Sequence, residues 1–223
     1  IKKIIPMLKK YKIPITLFVP FGFCLDENSE ISLKSRCLHH LYFKVIKNSS
    51  KINLEKKLFD KFNNIMNLDK EYLNKKYNDL IKKNKSFFVK KKFLSVSDLK
   101  ELSKNNFITV ASHSMSHVPL SNLPKKWLFW EISESQKLTK QIKGDHTIFS
   151  YPYGHLNSYN QNVKDALKYH KIKYAFTTRS YLINKNTDPL ELGRSYFFNN
   201  SYKNYILGTA FGSMQLFDTI LKR

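Results

Sequence analysis

Four short apolar runs set the terms on which this chain can fold. They are "PITLFVP" (14–20), "FITVAS" (107–112), "HTIFSYP" (146–152) and "IKYAFTT" (172–178). Each is rich in β-branched or aromatic residues, and turn-forming residues bound them, as in buried strands. Between them lie longer stretches with apolar residues at helical spacing. "SVSDLKELSKNN" opens with Ser95 and Asp98 in the pattern of a capping box, and Asn105–Asn106 marks its stop. "LPKKWLFWEISESQKLTKQIKG" has Pro124 near its first turn and Gly144 just past its end. "NSYNQNVKDALKYHK" reads as another helix. "IKKIIPMLKKYK", apolar at positions 1, 4, 5 and 8, reads as a helix ahead of the first strand. Strands joined through helices return in the same direction, so the alternation argues an α/β fold with parallel strands. After Thr178 the pattern thins, leaving "LELGRSYFF" as a further strand.

Residues 32–85 interrupt this alternation. "LKSRCLHHLYFKVI", "NLEKKLFDKFNNIM" and "KEYLNKKYNDLIKK" each carry helix-like spacing. They read as two or three helices inserted after the first strand, with Lys-rich outer faces. The expectation is a single domain over residues 1–223 with a helical insertion at about 32–85, which suits a chain of 223 residues. No apolar run is long enough to span a bilayer. The opening residues lack the apolar stretch and cleavage site of a secretory signal. Ile1 is not a natural start, so the reading expects this sequence to be a piece of something longer, and the compartment stays open.

The net charge of +22 invites a nucleic-acid reading. The kind of cation argues against it. Arg occurs only at positions 36, 179, 194 and 223, so 39 − 4 = 35 of the basic residues are Lys. Arg is the side chain that forks onto guanine and phosphate. A Lys-rich surface is the plainer reading, and no specific nucleic-acid partner is expected. Cys24 and Cys37 are too few for a disulfide scaffold and form no C-x-x-C.

Two motifs fall at the ends of strand-like runs, where sites sit in parallel α/β folds. The first is "ASHSMSH" (111–117), which places His113 and His117 four residues apart. That spacing puts two imidazoles on one helical face or across one tight turn, a common arrangement of zinc ligands. It is no zincin helix, because Ser114 follows His113 and Pro119 lies close behind. A histidine pair of this kind also occurs as plain structure. The second motif is "FSYPYGH" (149–155), in which Pro152 stiffens the backbone between Tyr151 and Tyr153 and Gly154 permits a turn. Such a turn can aim a backbone N–H at a substrate oxygen; an ordinary packed turn is the alternative.

Taken in order, "KKYKIPITLFVPFGF", "LSVSDLKELSKNNFITVASHSMSHVPLSNL", "FSYPYGHLN" and "ALKYHKIKYAFTTR" resemble the polysaccharide deacetylases, the NodB-homology domain of carbohydrate esterase family 4. The resemblance implies a distorted (β/α) barrel of the NodB type holding one divalent metal, most often Zn2+. It makes His113 and His117 metal ligands. It implies that the backbone N–H of Tyr153 helps form an oxyanion hole, with Tyr151 and Pro152 beside the substrate. The implied reaction is metal-assisted attack of water on the N-acetyl, or O-acetyl, group of a glycan or surface polysaccharide.

The departures are as informative. The family's T-F-D-D motif, source of its third ligand and its general base, occurs nowhere in residues 1–223. The reading expects it upstream of Ile1, with the first strand. Ser150 stands where the family places an Arg. The late Leu-x-His motif is also missing, which leaves the general acid open. His155 is a candidate for it on position alone, against the plainer reading of a surface histidine. Asp26 and Asp145 are stand-in carboxylates on the same terms. With two ligands of three, residues 1–223 are expected to bind zinc weakly and to turn over little substrate. A non-catalytic glycan-binding or polysaccharide-assembly protein that keeps the fold is the alternative.

Overall fold

The computed structural model describes residues 2–47, 54–83 and 93–195. Four strands form one parallel sheet in the order β1-β2-β3-β4: β1 (Ile15–Val19), β2 (Ile108–Ser112), β3 (Asp145–Ser150) and β4 (Tyr174–Phe176). All four arise from the runs expected to form strands. Because spatial order follows chain order, each connection steps to the next strand along, as in the winding of a (β/α) barrel. Among the described residues the sheet is open.

The helices are α1 (Ile5–Tyr11), α2 (Glu30–Lys47), α3 (Leu54–Met66), α4 (Lys70–Lys83), α5 (Val96–Leu102), α6 (Lys125–Gln141) and α7 (Gln161–Tyr169). The start of α5 carries the capping box its sequence announces. The Ser95 hydroxyl accepts from the Asp98 N–H at 3.1 Å, and the Asp98 carboxylate accepts from the Ser95 N–H at 3.1 Å. Two of the first-turn donors of α5 are satisfied this way.

Two bodies of apolar side chains hold the layers together. One joins α1, β1, α5 and β2 through Leu8, Val19, Leu99, Leu102, Ile108 and Val110. The other joins α2, α3 and α4 to α6 and α7 through residues such as Leu38, Phe62, Leu73, Trp127 and Leu167. Trp127 also donates its indole N–H to Asn63 at 2.9 Å, tying α6 to α3. Thus α2–α4 share a core with the helices that cover the sheet. Cys24 and Cys37 are both buried free thiols, pushed up to about 12 by burial.

The expected strand in "LELGRSYFF" is corrected by the structure. Pro189–Glu191 forms a 3-10 turn, and Leu192 makes one isolated parallel bridge to Phe176. The Pro before Leu190 fixes φ and removes a donor, which suits a turn better than a ladder. Residues 196–198 of that run lie outside the described residues.

Candidate functional site

The parallel register lines up the carboxyl ends of the strands. Val19 pairs with Ser112, Ser112 with Phe149, and Ser150 with Phe176. The pairing of β2 with β3 slips between Ala111 and Ser112, immediately ahead of His113. Such irregularities re-aim the chain at a strand end. His113 still donates its N–H to the Val19 carbonyl at 2.9 Å. The loop after β1 then follows the histidine loop. The N–H groups of Phe21 and Gly22 donate to the carbonyls of Ser114 and Met115, each at 3.1 Å.

Backbone strain is concentrated here. Among the described residues, six non-glycine residues have positive φ. Lys12, Lys143 and Lys171 sit just past helices, where a left-handed residue is ordinary. The other three are Ser114 (φ 68°), His117 (φ 52°) and Tyr153 (φ 64°). Each costs roughly 1–3 kcal/mol and persists only where its surroundings impose it. The two motifs singled out in the sequence therefore hold the strained residues that no helix end explains.

That strain brings the two imidazoles together. The rings of His113 and His117 lie 4.8 Å apart between centroids, and the Tyr153 ring lies 4.9 Å from His117. His113 Nδ1 is 2.6 Å from the Ser150 carbonyl oxygen. A carbonyl only accepts, so Nδ1 carries the proton and Nε2 presents a lone pair. This is the orientation in which a backbone carbonyl prepares a metal-ligating histidine. Burial pushes the imidazolium form of His113 down to about 4. His117 is pushed down to about 3, by burial first and then by the neighbouring His113 and His39. Both rings are thus neutral near pH 7, as metal ligands must be. The donor set fits two positions of a zinc centre. Among the described residues, no group of three or more His, Cys, Asp or Glu side chains gathers to complete one.

The second motif divides. Tyr153 is half-buried beside His117, and burial raises its phenol to about 12, so it stays neutral. Among the described residues its backbone N–H makes no hydrogen bond, while its carbonyl accepts from the Thr178 hydroxyl at 2.7 Å. Gly154 (φ 65°) completes the turn; a Cβ there would meet the Thr178 nitrogen at 2.6 Å. Tyr151 and Pro152, expected beside the substrate, are buried. Tyr151 stacks on Tyr159 at 4.3 Å and donates its hydroxyl to the Leu190 carbonyl at 2.8 Å. A buried phenol must find a partner, and this one finds it in the core; Tyr151 anchors the turn from beneath.

The stand-ins separate in the same way. Asp26 accepts from the Asn28 N–H at 2.8 Å in an exposed turn. Asp145 begins β3, at the opposite end of the strand from Ser150, and accepts from the Thr147 N–H and hydroxyl at 2.7 Å. Neither joins the imidazoles. His155 is exposed, its ring 6.4 Å from that of Tyr153.

Two residues here escaped the sequence reading. Glu131 of α6 is 1% exposed and accepts from the N–H groups of Met115 (2.8 Å) and Ser116 (3.0 Å) and from the Ser116 hydroxyl. Burial raises its carboxyl, and the Ser116, Met115 and Ser114 donors pull it back only in part. His39 of α2 is 5% exposed, and its ring lies 6.0 Å from that of His117. The signal was present: Glu131 falls on the same helical face as Trp127 and Ser135, and His39 lies among Leu38, Leu41 and Tyr42. A polar residue inside an apolar stripe asks for a buried partner.

The matching family model is described as polysaccharide deacetylase and covers residues 67–175. No curated protein matches the chain's sequence. Among solved structures, the chain is similar to a de-N-acetylase from Aggregatibacter actinomycetemcomitans, with 22% identity and a TM-score of 0.43, over 52% of this chain and 53% of that one. It is similar to a deacetylase from Streptococcus pyogenes solved with acetate, with 17% identity and a TM-score of 0.48, over 80% and 85%. It is also similar to a polysaccharide deacetylase from Bacillus cereus, with 18% identity and a TM-score of 0.47, over 61% and 47%. These scores lie below 0.5 and carry no argument, and the chain spans only about half the length of the first and last of these structures. The family match takes in both histidines, the Tyr153 turn and strands β2 and β3 that precede them, so over residues 67–175 the chain is similar to the polysaccharide deacetylase family.

Proposed function

We propose that the chain is a metal-dependent deacetylase domain acting on the N-acetyl groups of a glycan, with His113 and His117 as metal ligands. The observation that carries this is the pairing of two neutral imidazoles, 4.8 Å apart, at the carboxyl end of the sheet beside Tyr153. A divalent ion held there supplies a Lewis acid that polarises the acetyl carbonyl. The residues do the rest. Ser150 holds the His113 proton at Nδ1, which keeps Nε2 directed to ligation. The Tyr153 N–H, unpaired among the described residues, donates to the developing oxyanion. The left-handed backbone at Tyr153 holds that donor in place before substrate arrives.

The test is acetate release from N-acetylated chito-oligosaccharides. With two ligands and no carboxylate joining them among the described residues, residues 1–223 should release acetate slowly, only with added zinc, and not at all after His113→Ala. Release that survives chelation or His113→Ala would contradict the proposal. The same gap in the ligand set favours the second reading, a glycan-binding protein without catalysis. Saturable glycan binding with no zinc-dependent release would support that reading instead.

A further inference from the structure

We infer that His39, carried by helix α2, is a positioning residue for the metal-binding loop, so that the segment between β1 and β2 is a working part of the site. The inference rests on the functional reading above for its consequence, but its structural content stands alone.

The loop from Ser114 to His117 is strained at both ends, with φ of 68° at Ser114 and 52° at His117. Something must impose that shape, and the structure shows two clamps meeting at Ser116. From α6, Glu131 takes the Ser116 N–H and hydroxyl together with the Met115 N–H. From α2, His39 Nδ1 reaches the Ser116 carbonyl at 2.9 Å and the His117 carbonyl at 3.2 Å. Carbonyls only accept, so His39 Nδ1 is the donor and bridges both. Every polar group of Ser116 is thereby engaged, by one acceptor on one side and one donor on the other. The His117 carbonyl is held by the residue whose ring packs against the His117 ring.

The approach of α2 is itself built in. A Cβ on Gly22 would overlap the Ser35 side chain of α2 and meet the Met115 carbonyl at 2.7 Å. One turn beyond Ser35, α2 delivers His39. One further turn on, the Phe43 ring lies 5.9 Å from that of Tyr153, between centroids. The same helix thus borders both motifs.

The experiment uses residues 1–223 with His39→Leu, which keeps bulk and removes the donor, and His39→Asn, whose amide N–H can occupy the Nδ1 position. Hydrogen exchange of the metal-free protein is followed in the 112–118 segment and in β3, and zinc affinity is measured by calorimetry. His39→Leu should speed exchange in 112–118 while β3 stays protected. It should also weaken zinc binding on the order of ten- to a hundredfold, as loss of an outer partner does. His39→Asn should recover a measurable part of both effects, which a merely space-filling role would not allow. Unchanged exchange in 112–118 with His39→Leu would overturn the inference. Loss of protection at β3 in both variants would overturn it too, since His39 would then hold the core at large. Absence of zinc binding in the unsubstituted protein would sink the functional reading alone, and the exchange data would still judge the clamp.

Discussion

At the scale of the residue, the site is a set of buried polar groups whose protonation the fold has decided. His113 and His117 titrate near 6.5 in an unfolded chain, but burial holds them to about 4 and about 3 in the folded one. Between those values the unfolded chain binds protons that the folded chain refuses. Stability from this source is therefore complete above pH 6.5 and declines as pH falls toward 4. His39 and His170 are depressed in the same direction, while Glu131 is raised and opposes them, favouring the folded state at low pH. The midpoint of thermal unfolding should drop steadily from pH 6.5 to 4, and His113→Gln, which cannot titrate, should flatten part of that slope. An unsubstituted slope equal to that of the variant would contradict the burial of His113. The sequence made His113 and His117 visible because their spacing is local. It hid Glu131 and His39, whose partners lie 15 and 77 residues away. The anchoring of Tyr151 was hidden for the same reason: its hydroxyl partner, Leu190, is 39 residues on.

At the scale of the element, local signals were legible wherever the determining contacts were local. The capping box of α5 and the four strand runs needed only neighbouring residues. The expected strand in "LELGRSYFF" failed because its apolar alternation described burial against β4, which a turn and a single bridge also provide. The path of α2 was not legible at all, since it depends on what Gly22 allows. Gly22 accepts close approach from both α2 and the histidine loop, and no side chain fits between them. Gly22→Ala should cost about 1–3 kcal/mol by overpacking, read as a lowered denaturant midpoint with an unchanged slope. It should also loosen the 112–118 segment more than β3 in hydrogen exchange. A variant as stable as the original would show that α2 does not press on the loop.

At the scale of the whole molecule, one parallel sheet with helices wound strand by strand brings two distant motifs to a common edge. The alternation of periods in the sequence predicts that layout, and strand-end placement predicts that the motifs meet. What no periodicity conveys is that α2, packed with α3 and α4 into the same core as α6 and α7, also brings His39 and Phe43 beside His117 and Tyr153. The charge of +22 comes mainly from Lys, which supplies 35 of the 39 basic residues. The central claim is that His113 and His117 together bind a divalent metal. It is tested most directly by titrating the metal-free chain with Co2+ or Zn2+ alongside His113→Ala and His117→Ala. The account predicts one weakly held ion per chain, with the His113 ring engaged through Nε2 because Nδ1 stays bonded to Ser150, and no binding in either variant. An ion bound equally well by the chain and by both variants would contradict it.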